Sequence, residues 1–217
     1  SNNVAFIEIL LIGKTTTFSM LTGDLAPNSG DAFLGRFSLY TDMAQFRSNI
    51  GYCPQFDALL DELTCDEMLY LFARLRGVPA GNIKGDIDNL VQMVGLEEHR
   101  SKQTSALSGG NKRKLSIALA IVGSPCLLLL DEPTTGVDPA ARRKMWQTLG
   151  YIKRNLNSSV VLTSHSMEEC EALCSRIGTM VSGTFRCLGS TQHLRHKFGQ
   201  GYSVQIRLRR RKGSDQA

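Results

Sequence analysis

The run from Cys126 through Leu130 constrains this chain more than any other feature: apolar residues in unbroken succession, stopped by Asp131-Glu132-Pro133. A strand with one wet face alternates apolar and polar residues, whereas a strand covered on both faces does not. The run therefore predicts a buried strand of a parallel sheet with helices on either side. Other segments agree. Apolar runs of strand length at 4–12, 50–53 and 159–163 alternate with stretches of helical period at 15–23, 66–76, 83–94, 115–122 and 139–156. Within 66–76, Met68, Leu69, Phe72 and Leu75 share one helix face; within 83–94, Ile87, Leu90, Val91 and Val94 do the same. This alternation predicts an α/β fold with a mostly parallel sheet. Gly23 stops the first helix, and Pro27-Asn28-Ser29-Gly30 makes a turn. A short strand is expected at 31–34, a small helix near 41–47, and a hairpin of 177–181 with 184–187 around Ser182-Gly183.

Composition narrows the class. With 217 residues, 42% of them hydrophobic and 21% charged, the chain can bury one sizeable core and is not a disordered segment. Its longest apolar stretches, 117–122 and 126–130, fall short of the ~18 to 20 residues that cross a bilayer. Residues 1–13 lack the basic start, apolar block and small-residue cleavage site of a secretion signal, so a cytosolic setting is the default. The net charge is +5, but Arg207, Arg209, Arg210, Arg211 and Lys212 hold five of the 25 basic residues. That leaves 20 basic against 19 acidic residues up to Ile206, with Asp215 set aside. A nearly neutral body with a solvated basic tail argues against nucleic acid as a partner. The six cysteines form no C-x-x-C pair. Cys170 and Cys174 share a helix face near His165, but a fourth ligand for a metal is not evident.

Three places carry chemistry. Gly13-Lys14-Thr15 lies between an expected strand and an expected helix, where a phosphate loop would sit. There the amide end of the helix cradles phosphates, Lys14 reaches their outer groups and the Thr15 hydroxyl holds magnesium. The full loop pattern wants a glycine where Glu8 stands, and Ile9, Leu10, Leu11 and Ile12 fill the space between. Leu128-Leu129-Leu130-Asp131-Glu132 lifts two carboxylates to the carboxyl edge of the sheet. Asp131 can hold magnesium through water there, and Glu132 can polarise an attacking water. Leu107-Ser108-Gly109-Gly110-Asn111, followed by Lys112-Arg113-Lys114, offers an N-cap serine and a bare helix terminus to an anion.

The last of these resembles the signature motif of ATP-binding cassette (ABC) proteins, with Asn111 where the family usually has glutamine. The family's other elements come in the expected order: Gln55 resembles its Q-loop glutamine, Asp131 and Glu132 its Walker B pair, Gly136-Val137-Asp138 its D-loop, and His165 its switch histidine. The runs 51–59, 111–116 and 163–172 are similar to subfamily A, whose members move lipids, and 187–199 resembles the segment after the second cassette of its full-length transporters. The resemblance implies a P-loop NTPase fold, a RecA-like core with a helical subdomain at about 60–122. Residues 13–187 would be the nucleotide-binding domain, and 188–217 a C-terminal extension with the basic tail. It implies ATP and Mg2+ as ligands, with Gly13, Lys14, Thr15, Thr16, Gln55, Ser108, Gly109, Gly110 and Asp138 on nucleotide. Thr15, Gln55 and Asp131 would hold the metal, and Glu132 and His165 would be catalytic. Its partners would be a second cassette closing head to tail and transmembrane domains, which place it on the cytoplasmic face of a membrane, with lipid met only through those domains.

The family also has earlier strands and an adenine-stacking aromatic, for which Phe6 is no substitute. The resemblance thus implies a cassette cut or joined just before Gly13, with residues 1–12 an atypical leader. Two alternatives stay open: a catalytically impaired cassette that only contacts a partner subunit, or a soluble cassette ATPase. Titration with Mg-ATP separates the first from an active cassette, and salt-sensitive nucleic-acid binding would mark the second.

Overall fold

A computed structural model describes residues 14–155 and 158–198. The expected strand at 4–12, Gly13 and the basic tail lie outside the described residues. Helix α1 (Lys14–Thr22) ends at Gly23, whose φ of 77° is the left-handed stop that glycine takes without strain. Strands β1 (Phe33–Leu34) and β2 (Phe37–Ser38) pair as an antiparallel hairpin, so the strand expected at 31–34 is shorter and has a partner that alternation did not show. Helix α2 (Met43–Ser48) leads into β3 (Ile50–Cys53), which has the bounds read from sequence. Helices α3 (Cys65–Leu75), α4 (Ala80–Val94) and α5 (Gly109–Ile121) then precede β4 (Leu127–Asp131). Helix α6 (Pro139–Asn155), β5 (Ser159–Thr163) and α7 (Met167–Leu173) come next. Strands β6 (Ile177–Val181) and β7 (Thr184–Gly189) form the expected hairpin, and α8 (Thr191–Phe198) comes last. At the hairpin tip Ser182 and Gly183 both have positive φ, as a two-residue turn matched to the strand twist requires.

Among the described residues, β3, β4 and β5 form a parallel sheet in that order, with β4 in the middle. The leucines of β4 alternate between its two faces. Leu128 and Leu130 enter one apolar cluster with residues of α3, α4, α5 and α6, while Leu129 enters a second with Phe18, Leu39, Phe46 and Ile50. Both faces are therefore dry, which is why the run has no polar alternation. Each leucine buried from water in this way contributes about 1.5 to 3 kcal/mol. Helix α1 is fixed on its face by Phe18, whose ring meets Tyr52 of β3 edge-on at 6.2 Å.

On the other face α5 lies so close to β3 that a Cβ on Gly51 would stand 1.9 Å from the Ala120 carbonyl oxygen. Helix α3 is started by a reciprocal cap: Thr64 Oγ1 accepts from the Glu67 amide and the Glu67 carboxylate accepts from the Thr64 amide. Helices α3, α4 and α5 contact one another, and their apolar faces (Met68, Leu69, Ile83, Val91, Leu115) join the cluster beneath the sheet. The packing fixes the carboxyl ends of all three parallel strands at one edge. Gln55 comes after β3 there, Glu132 after β4 and His165 after β5.

Candidate functional site

Strand register builds the centre of the site. Asp131, the last residue of β4, lies opposite Thr163, the last of β5. Thr163 Oγ1 donates to Asp131 Oδ1 at 2.5 Å and accepts from the Glu132 amide at 2.9 Å, so one hydroxyl fixes both acids. Glu132 turns sharply, with a φ of 46° that a side-chain-bearing residue adopts at a cost. The turn brings its carboxylate over the start of α1, where Lys14 Nζ donates to Glu132 Oε1 at 2.8 Å. Gln55 Nε2 donates to Oε2 at 3.0 Å, Thr135 Oγ1 donates to the same oxygen at 3.1 Å, and His165 Nε2 stands 2.5 Å from Oε1. Lys14 Nζ is also 3.2 Å from His165 Nδ1. Thr15 Oγ1 donates to Asp131 Oδ2 at 3.2 Å.

Burial would raise the Glu132 carboxyl, but the hydrogen bond and charge of Lys14, the Thr135 bond and the charge of His165 outweigh it and hold the group below the ordinary glutamate value. Glu132 is thereby kept ionised. The Thr15 hydroxyl and the Asp131 carboxylate, bonded to each other at 3.2 Å, suit a hard divalent cation, whereas Gln55 turns its Nε2 to Glu132 and would have to present its oxygen to join them. Such a set leaves most of the coordination to phosphate and water, as magnesium prefers.

Six of the residues singled out from sequence, Lys14, Thr15, Gln55, Asp131, Glu132 and His165, thus meet at one point. Gly13 lies outside the described residues, and Thr16 is exposed on the first turn of α1. Ser108, Gly109, Gly110 and Asp138 gather elsewhere. With Gly136, Val137 and Lys144 they line a hollow of about 490 Å³. Ser108 caps α5 by accepting from the Asn111 amide, and Asp138 caps α6 by accepting from the amides of Ala140 and Ala141. Neither Gly109 nor Gly110 has a positive φ, and a Cβ on either would meet nothing within 4 Å. The chain's own packing does not require these glycines; a close approach from outside would.

Residues 12–135 match the family model described as ABC transporter. The chain belongs to the ABC transporter family. Among curated relatives, it is 53% identical over 197 residues to the phospholipid-transporting ATPase ABCA3 of Mus musculus, covering 91% of this chain and 12% of that protein. It is 55% identical to the retinal-specific phospholipid-transporting ATPase ABCA4 of Mus musculus, covering 91% and 8%. It is 49% identical over 199 residues to ATP-binding cassette sub-family A member 17 of Rattus norvegicus, covering 92% and 11%. The chain spans about a tenth of the length of these relatives. Of solved structures, the ATP binding subunit of an ABC transporter superposes with a TM-score of 0.77 at 24% identity, over 90% of this chain and 82% of that one. The cbiO1 protein of Clostridium perfringens, part of the transporter complex cbiONQ, gives 0.80 at 24%, over 89% and 80%. These likenesses establish the ABC ATPase fold.

Three side chains of this ABC domain are not marked by the sequence. Thr163 is visible there only as the end of an apolar run, because its role depends on register. Arg113 stands inside a basic triplet, yet it is 4% exposed, and Glu169 is 1% exposed on α7. The signal that could have marked Glu169 is its place three residues after Ser166, the N-cap of α7, whose hydroxyl accepts from the Glu169 amide.

Proposed function

We propose that this chain binds and hydrolyses ATP as one nucleotide-binding domain of a subfamily A transporter, powering lipid movement across a membrane from its cytoplasmic face. The observation that carries the reading is the meeting of Lys14, Gln55, Asp131, Glu132 and His165 at the carboxyl edge of the parallel sheet. Identities of about one half to phospholipid-transporting relatives support the lipid assignment. Among the described residues no helix is long and apolar enough to cross a membrane. The transport path would therefore belong to transmembrane domains, with Gln55 and the helical region after it as the coupling surface.

In this mechanism Lys14, at the amide end of α1, meets the outer phosphates of ATP. Thr15, Asp131 and Gln55 would hold Mg2+, which supplies charge neutralisation to those phosphates. Glu132, kept ionised by its neighbours, accepts a hydrogen bond from the attacking water and aligns it in line with the γ-phosphate. His165 then serves the same phosphate from the exit of β5. Ser108, Gly109, Gly110 and Asp138 lie in a separate hollow and would serve the nucleotide of a second cassette, closed head to tail. The departure at the phosphate loop, Glu8 for glycine, bears on affinity, since each charge-assisted hydrogen bond lost there costs about 1.5 to 3 kcal/mol.

Calorimetric titration of the chain with Mg-ATP tests the reading. Saturable binding below millimolar concentration is expected, and hydrolysis by the paired cassettes should vanish in Glu132→Gln while binding persists. Absence of binding up to millimolar Mg-ATP leaves only a partner-contacting role, and undiminished hydrolysis in the variant removes Glu132 from the chemistry.

A further inference from the structure

The guanidinium of Arg113, one turn into α5, is buried between two loops distant in sequence. Its Nη1 donates to the Pro54 carbonyl at 2.5 Å, to the Gln55 carbonyl at 3.3 Å and to Asp57 Oδ1 at 3.1 Å. Its Nη2 donates to the Asp131 carbonyl at 2.7 Å and the Glu132 carbonyl at 3.2 Å, and its Nε to the Pro133 carbonyl at 2.9 Å. The planar fork is thus spent on the backbone around Gln55 and the backbone around Glu132. These carbonyls sit at or just beyond the carboxyl ends of strands β3 and β4. The charge itself is balanced by Asp57. Lys112 and Lys114, its neighbours in sequence, are only partly buried; Lys112 pairs loosely with Asp61 and Lys114 reaches the Gly95 carbonyl. Only the middle member of the basic run serves the two loops.

We infer that Arg113 is a positioning residue: it locks the loop bearing Gln55 to the turn bearing Glu132 and ties both to α5. The same helix begins at Ser108-Gly109-Gly110, which lines the second hollow. A load placed on the helix start therefore shifts one rigid guanidinium, and with it the glutamine and the carboxylate that bond to each other at 3.0 Å. The chain would in this way pass occupation of its α5 terminus to the water-orienting carboxylate of its own site. Lysine cannot replace the fork, since its three donors radiate from one atom.

The inference rests on the proposed role of Glu132, and its test separates the two. Amide hydrogen exchange on the nucleotide-free chain reads the lock itself. In Arg113→Lys, amides at 55–58 and 131–135 should exchange about tenfold faster or more, with those of α3 and α4 unchanged. Uniform acceleration across the chain, or none in these loops, overturns the lock. Should that variant fail to fold, Asp57→Ala removes a single arm at a partly exposed position. Both loops should still loosen, and loosening confined to 55–58 shows that they are held independently. In the assembled transporter, Arg113→Lys should lower kcat about tenfold while KM for ATP stays within about threefold. An equal fall in binding and turnover marks a merely structural arginine. Failure of wild-type chain to bind Mg-ATP would remove the nucleotide reading without altering the exchange result.

Discussion

Lys14 Nζ lies 2.8 Å from Glu132 Oε1, with both side chains more than nine-tenths buried. The lysine that would meet phosphate is therefore already neutralised by the acid that would orient water. An arriving anion must compete with Glu132 for the ammonium. Replacing Glu132 with Gln removes that competitor and leaves Lys14 seeking charge. Glu132→Gln should tighten Mg-ATP binding about fivefold, the equivalent of roughly 1 kcal/mol for one hydrogen-bonded partner. Calorimetry on both proteins decides it, and an unchanged or weaker affinity would show that the pair does not oppose phosphate.

The same pair sets an acid limit. Glu132's carboxyl is held below its ordinary value of 4.5 in the folded chain. A depressed folded value gives stability that is fully present above the unfolded value and is lost as pH falls through the folded one. Wild type should therefore lose urea resistance faster than Glu132→Gln as pH falls below 4.5. Glu67 is also depressed, by its bonds to Thr64, but it is common to both proteins and cancels in the difference. Parallel stability curves through this window would mean that the carboxylate gains nothing from its neighbours.

Gly51 and Gly110 make a paired test of what each glycine is for. A Cβ on Gly51 would strike the Ala120 carbonyl oxygen at 1.9 Å and Pro125 Cγ at 2.9 Å, so neither side can yield cheaply. Gly51→Ala should cost about 3 kcal/mol by forcing α5 from β3. A Cβ on Gly110 meets nothing, and alanine is the better helix former, so Gly110→Ala should melt no lower than wild type. Equal melting of the two variants would refute the close approach of α5 to β3.

What the sequence disclosed and what it withheld divide along a physical line. Strands β3 and β5 were legible to the residue because two-sided burial writes itself as an apolar run bounded by a polar or proline stop. Asp131 and Glu132 were legible because they close the apolar run of β4, Lys14 because it stands in Gly13-Lys14-Thr15, and Gln55 and His165 through the family resemblance of the runs around them. Arg113 and Thr163 were not, because their importance lies in contacts made across 18 or more positions of chain. Nothing in Lys112-Arg113-Lys114 tells which member turns inward. The partner of β1 was hidden for a different reason: a pair of two-residue strands is too short for alternation to register.

Glu169 links three parts of the site's frame. Its carboxylate accepts from Thr134 Oγ1 at 2.9 Å, from Trp146 Nε1 at 3.1 Å and from Ser164 Oγ at 2.5 Å. Thr134 belongs to the turn after Glu132, Trp146 to α6, and Ser164 directly precedes His165. Leucine in its place would leave three donors without their acceptor, at about 3 kcal/mol in total, whereas glutamine keeps an oxygen and the shape and should cost about half that or less. Because Trp146 is the single tryptophan, its emission reports the bond directly. Glu169→Leu should shift the emission and lower the urea midpoint well below that of Glu169→Gln. If the two variants unfold together, the carboxylate only fills space, and the placing of His165 must come from β5 alone.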